Sequence, residues 1–302
     1  MFMGNNQMKI YDVFLFGYEL DLLEIRLNLL DPYVDYFVFS ESKWAFSGID
    51  KGLNYENNKD RFKKFSHKII YNQIPDPTDD QLKTLSQKYN IENYPTYQRD
   101  VYQKNSIKDI LSKYCDDTDI ILWSDLDEVP NPDVLKDLNS FYESGNVYNF
   151  AQDNYQAALN WFESSSSIFS QTPDFEYGSE GPRWIGTKMC DYSILKKYSL
   201  TDMRRPLNNE NNLRIYPGGW HWSTVGSTHK GTMEDRILFK IKTTAHKELN
   251  ELEIIESINE NISKGKSPIG QSNAGYQTIE FNQDTFPEYL IKNKKKYAYL
   301  IK

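Results

Sequence analysis

ILWSDLDEVPNP, residues 121–132, begins apolar and turns acidic in mid-stretch. The segment 119–124 (DIILWS) has the unbroken apolar character of a central strand covered on both faces. Asp125, Asp127 and Glu128 follow at once. Like charges this close repel, so the cluster needs water, a cation or a proton. Along an extended chain, residues two apart point the same way. Asp125 and Asp127 are therefore expected to project together at the carboxyl end of the strand, where open α/β sheets bind ligands. Two hard carboxylates suit Mg²⁺ or Mn²⁺. Such an ion would bridge a diphosphate and stabilise it as a leaving group. The plainer alternative is a solvated acidic loop, and the pattern alone does not separate glycosyl transfer from phosphoryl transfer.

Working outward, 11–16 (YDVFLF) reads as a strand, and Leu20, Leu23, Leu27 and Leu30 then recur at helical spacing. A second strand follows at 35–42, so the first forty residues read β-α-β with parallel strands. Residues 67–75 give a third strand, 76–95 a polar loop with a short helix, and 97–114 a helix. Beyond the acidic cluster, Asn131 and Pro132 open another helix as cap and first residue. Residues 146–162 mix strand and loop signals, 163–187 read as a long loop or hairpin, and 214–226 as turn then strand. A helix over 233–250 places Ile237, Ile241 and Thr244 on one side. No linker divides the chain. The expected architecture is one α/β domain, with a first half at about 8–150 and a second half of different character at about 151–302.

The 302 residues carry a net charge of −8, which argues against a nucleic-acid partner. Cys115 and Cys190 form no CxxC pattern, so neither a cysteine zinc site nor a disulfide framework is expected. No apolar run is long enough for a transmembrane helix, and the first residues lack the core of a signal peptide. These features lead us to expect a cytoplasmic protein. Aromatic residues make up 15% of the chain, enough to form binding platforms as well as core. Among them Trp161, Trp184, Trp220 and Trp222 are candidates to stack on sugar rings, with core packing the alternative.

Four ordered blocks carry a resemblance: ELDLLEIRLNLLDPYVDYFVFSES (19–42), FSGIDK (46–51), ILWSDLDEVP (121–130) and GGWHWS (218–223). Together with KTTAHKELN (242–250) and FPEYLIKNKKKY (286–297), they resemble glycosyltransferase family 17, the family of the bisecting N-acetylglucosaminyltransferase. The resemblance implies a GT-A-type, Rossmann-like fold with a mixed central sheet flanked by helices. It also implies inverting transfer from a nucleotide sugar, UDP-GlcNAc above all, to a glycan acceptor. Asp125 and Asp127 match the family's D-x-D and are expected to hold Mn²⁺ or Mg²⁺ and, through it, the diphosphate. Vertebrate members carry a membrane anchor that this chain lacks, so a mature N-glycan in a secretory lumen is not the expected acceptor.

Further roles follow from position and chemistry. His221 is the candidate third metal ligand, with a core histidine the equal alternative. His246 is a weaker candidate. Phe16, Gly17 and Glu19 stand where a base would sit, and Glu41 and Ser42 where ribose hydroxyls would. Lys51 and Arg99 are candidates to offset phosphate charge. Glu128 is expected to orient a neighbour or hold a water. Inverting transfer needs a general base. Asp153 and Glu180 are preferred for it over Glu210, Glu234 and Asp235. The competing readings are a metal-dependent phosphoryl-transfer enzyme or hydrolase, and a sugar-binding module without catalysis.

Overall fold

A computed structural model of the chain describes residues 8–92, 94–164, 184–205, 207, 209–226, 231–246, 249–270 and 275–302. A curled mixed sheet runs through the molecule with helices on its faces. Its parallel part is β1 (Ile10–Phe16), β2 (Tyr36–Ser42), β3 (Ile69–Ile74) and β4 (Ile120–Asp125), in the order β3-β2-β1-β4. The sheet continues through β5 (Glu128–Pro130), β6 (Asn146–Gln156), β7 (Trp161–Glu163), β8 (Trp184–Asp191), β9 (Asn211–Ile215), β10 (Gly219–Ser223) and β11 (Tyr276–Thr278). β8 joins β4 antiparallel, and β6 joins β8 antiparallel. The far half of β6 is bordered by β10 and β7.

Strand alternation sorts the core into two faces. Phe14, Phe16, Phe37, Phe39, Ile120 and Leu122 pack on one side with the helix Leu20–Leu30. Tyr11, Val13, Leu15, Val38, Ile121 and Trp123 pack on the other, against Ile107, Ile110 and Leu111. The first of these clusters extends to Leu290, Tyr297 and Leu300 near the end of the chain. A third cluster joins Trp161, Ile237, Ile241, Ile258, Ile269 and Tyr276.

One charged pair sits inside this apolar frame. Asp12, in the middle of β1, is fully buried and receives Arg26 Nε at 2.8 Å and Nη2 at 2.6 Å. The same guanidinium donates to Ser124 Oγ at 2.7 Å and to the carbonyls of Asp125, Leu126 and Glu128 at 2.9–3.2 Å. Arg26 thus holds the turn between β4 and β5 from behind, through the backbone rather than through any acidic side chain.

Several elements depart from the sequence expectations. The helix expected over 97–114 is two, Pro95–Ser106 and Lys108–Tyr114, broken at Ile107. The region read as mostly loop holds the helix Asp79–Tyr89, started by a capping box between Thr78 and Gln81. The helix from Met233 ends at Thr243, because Thr244 turns extended. Residues 184–187, read as part of a long loop or a hairpin, begin β8. The helix Leu252–Ser263 was not anticipated. Of the long loop expected at 163–187, residues 165–183 lie outside the described residues.

Candidate active site

The sheet's order reverses at β1 and β4. β1 connects to β2 on one side, while β4 lies on the other. A crevice opens beyond the carboxyl ends of strands at such a point. Here it becomes a cavity of about 850 Å³, lined by residues 15–19 after β1 and 125–128 after β4. Lys51 and Phe46 border it at the parallel part of the sheet. Lys188, Arg204, His221 and Lys240 come from the second half of the chain.

The β4–β5 turn supplies the acidic wall. β4 ends at Asp125, and Leu126 and Asp127 form the turn. The two aspartates therefore do not sit at alternate positions of one strand, as the sequence suggested. Each reaches the cavity with its own cations. Asp125 has Arg204 Nη2 at 3.2 Å and Lys104 Nζ at 3.7 Å. Asp127 has Lys240 Nζ at 3.8 Å, and the same ammonium stands 3.8 Å from Glu19. Burial pushes the Asp125 carboxyl up, but Arg204, Lys104 and Lys240 together hold it well below the usual carboxylate range. Lys240 is raised in turn: burial lowers it, but Tyr18, Asp127, Glu19 and Asp125 together outweigh that.

Glu128 is gripped more tightly. It is fully buried and accepts both Arg204 nitrogens at 2.5 and 2.7 Å, Trp184 Nε1 at 2.6 Å and the Asp125 amide at 2.9 Å. Burial raises its pKa, yet Arg204 brings it below the ordinary value. The orienting role expected of Glu128 has this concrete form: it ties Arg204 and Trp184 to the acidic turn.

His221 lines the cavity and stacks on Trp184, with ring centres 4.4 Å apart. Burial lowers its pKa, which favours neutral imidazole. Its Nδ1 is buried without a hydrogen-bond partner among the described residues. The cations that face the side-chain oxygens of Asp125 and Asp127 stand at 3.2–3.8 Å. Two carboxylates and an imidazole with an unmatched nitrogen are a chemically suitable donor set for Mn²⁺ or Mg²⁺. Among the described residues, however, no group of three or more His, Cys, Asp or Glu side chains is arranged so that it could hold a metal ion.

The remaining candidates divide by position. Phe16, Gly17, Glu19 and Lys51 line the cavity. Lys51 donates to the Gly17 carbonyl at 2.7 Å, and burial lowers its pKa. Burial raises that of Glu19. Glu41 and Ser42 are buried beyond the cavity lining. Glu41 accepts the Asn54 and Tyr55 amides and the Tyr71 hydroxyl, so its oxygens fasten the following helix. Arg99 is also off the lining and pairs with Asp76 at 3.0 Å on the surface. Asp153 alternates with Asn154 and Gln156 on β6, and only the latter two line the cavity. Glu180 lies outside the described residues. His246 lines the cavity, with Nδ1 2.9 Å from Tyr97 Oη. Trp161 and Trp222 are core, while Trp184 is on the cavity wall.

Sequence reading passed over Lys104, Lys188, Arg204 and Lys240. Lys188 carried a usable signal, a lysine inside the apolar run 185–190. It is buried, donates to Asn149 Oδ1, and its pKa is brought down by burial and Arg204 to about 7. Arg204 and Lys240 lie in ordinary polar surroundings, and only the tertiary fold brings them to the turn.

A family model described as Glycosyltransferase family 17 matches residues 3–179, more than half of the chain. The cavity residues Lys188, Arg204, His221 and Lys240 lie beyond the matched span. No curated protein matches the chain.

Proposed function

The chain belongs to glycosyltransferase family 17, and from that premise we propose a metal-dependent inverting transferase that moves N-acetylglucosamine from UDP-GlcNAc to a glycan acceptor in β linkage. Membership makes it a glycosyltransferase and implies a nucleotide-sugar donor with a glycan acceptor. The metal, the stereochemistry and the donor are our reading. Its main support is the acidic turn at the switch point of the sheet, facing a cavity with room for both substrates. The strand order β3-β2-β1-β4 is in keeping with a GT-A-type nucleotide-sugar half.

In this reading the uridine lies by Phe16, Gly17 and Lys51, and the diphosphate by the β4–β5 turn. Asp125 and Asp127, with His221, would hold Mn²⁺ or Mg²⁺. The ion would supply Lewis-acid stabilisation of the departing diphosphate. Arg204, Lys104 and Lys240 bring fixed positive charge to the same place, already oriented before charge develops on the leaving group. Arg26 keeps the turn in position through its carbonyls. Inversion requires attack opposite the diphosphate, assisted by a base.

The test is calorimetric titration of UDP-GlcNAc with Mn²⁺ and with chelator. Binding is expected in Mn²⁺ and lost in chelator, and Asp125→Ala is expected to abolish the metal-dependent part. Equal affinity in chelator would overturn the metal role. Tighter binding of another nucleotide sugar would overturn the choice of donor.

A further inference from the structure

The cavity floor is a single sheet face with a clear division of chemistry. Across β5, β10 and β6, Glu128 is opposite His221, His221 opposite Asn154, and Ser223 opposite Gln156. Tyr155, Trp220 and Trp222 occupy the alternate positions and pack into the main core. His221, Ser223, Asn154 and Gln156 all line the cavity. Tyr276 on β11 extends the lining, and Leu249 and Ile269 flank it with apolar surface.

Asn154 is the informative residue. Its Nδ2 donates to Glu163, which fixes the orientation of the amide. Its Oδ1 is buried and has no hydrogen-bond partner among the described residues. Glu163 is 4% exposed, also accepts the Tyr276 hydroxyl at 3.3 Å, and keeps Oε1 unmatched. No cation pairs with Glu163 among the described residues. Buried acceptors are rarely left without donors. No described residue supplies that donor, which leaves the place open to a group that enters the cavity. Asn154, Gln156, Ser223 and Tyr276 bear no positive charge, so they suit hydroxyl groups rather than phosphate. Amide and hydroxyl groups beside apolar side chains match a pyranose, with its hydroxyl rim and its C–H face.

We propose that the floor formed by Asn154, Gln156, Ser223 and Tyr276 is the acceptor-sugar subsite, with Asn154 Oδ1 accepting a hydrogen bond from a pyranose hydroxyl. Glu163 is a positioning residue that sets the Asn154 amide. The proposal deepens the transferase reading by naming the residues that receive the acceptor.

The experiment measures binding of methyl pyranosides of gluco, manno and galacto configuration by saturation-transfer NMR, with and without UDP. Calorimetry with UDP is run on the same samples, all of them in the presence of Mg²⁺. At least one pyranoside is expected to bind the wild type. Asn154→Ala is expected to weaken it about tenfold, the worth of one well-made hydrogen bond. Gln156→Ala and Glu163→Gln are expected to weaken it about threefold each, on the same arithmetic. UDP affinity should move far less than pyranoside affinity, a split that a general loss of structure would not give. Gln156→Ala and Tyr276→Phe serve if Asn154→Ala does not fold. The subsite is overturned if no pyranoside binds, if every variant binds like wild type, or if UDP displaces the pyranoside. Pyranoside binding without any UDP binding would instead uphold the subsite and sink the donor assignment.

Discussion

The β4–β5 turn is held from two sides, and the two grips differ. Behind it, Arg26 is fully buried, and its hydrogen bonds to Asp12, Ser124 and three carbonyls lie between 2.6 and 3.2 Å. In front, Arg204 binds Glu128 as closely, but Asp125 and Asp127 have cations only at 3.2–3.8 Å. The rear contacts are dry and saturated. The front contacts border the cavity and leave carboxylate oxygens available. Buried charge in this protein therefore does two jobs, fixing the backbone in one place and holding a loosely matched field in the other.

The largest test of this contrast is Arg26→Ala. It leaves Asp12 buried and unpaired and strips the turn of its donors, so unfolding free energy should fall by about 3–5 kcal/mol. Urea denaturation would measure it, and a loss no larger than that of a surface residue would break the distinction. On the cavity side, Asp125→Asn should cost clearly less stability than Arg26→Ala but lower UDP release from the donor by about a hundredfold, roughly 2.7 kcal/mol of activation free energy. Equal losses of stability in the two variants would show that both grips are structural.

Lys188 sharpens the comparison through pH. Its folded pKa of about 7 lies below the unfolded value, so above pH 7 the unfolded chain binds the extra proton. Stability should therefore rise with pH from 7 to about 8.5, with a slope of up to about 1.4 kcal/mol per unit from this group. In Lys188→Met that component should vanish, as thermal or urea unfolding across the range would reveal. Asp125 and Glu128 act with the same sign in acid, because their folded pKa values are depressed: the stability they confer is present above the unfolded carboxylate range and is lost as pH falls through it. The smallest effect is expected from Arg99→Ala. Arg99 forms a surface pair outside the cavity, so stability should change by less than about 1 kcal/mol and UDP affinity hardly at all. A large fall in UDP affinity would return Arg99 to the site.

The parallel strands were legible because their signal is local. Apolar runs at 11–16, 35–42 and 119–124 are strands by composition, and the leucines of 20–30 are a helix by spacing. The acidic turn was legible because three carboxylates after a buried strand are costly without a partner. The helix Asp79–Tyr89 was underestimated, since its start depends on a Thr78–Gln81 capping box in a polar stretch. The aspartates' common direction was misjudged because the period of two stops where β4 stops. Arg204, Lys240 and Asn154 were missed for another reason. The partners of Arg204 and Lys240 lie 50 or more positions away, which no window along the chain contains, and Asn154, though held by Glu163 nearby, joins the cavity floor only through the pairing of β6 with β10. Arg26 lay within a quoted block, yet its meaning depends on Asp12 and on carbonyls a hundred positions later.

Between β6 and β8 the register slips at Gly186 and Thr187: Asn149 faces Lys188, but Ala151 faces Ile185. β8 thus carries one residue more than its neighbour there, and Gly186 has no space for a side chain, since a Cβ would stand 2.0 Å from Gln152 Oε1. Losing a single codon at this point would restore even pairing and still leave Ile185 opposite Ala151 and Trp184 opposite Gln152, so neither side chain would change face. Trp184 would keep its partners His221 and Glu128, and what the deletion would remove is the local bend of β8, so this strand tolerates a change of length where it does not tolerate a change of face.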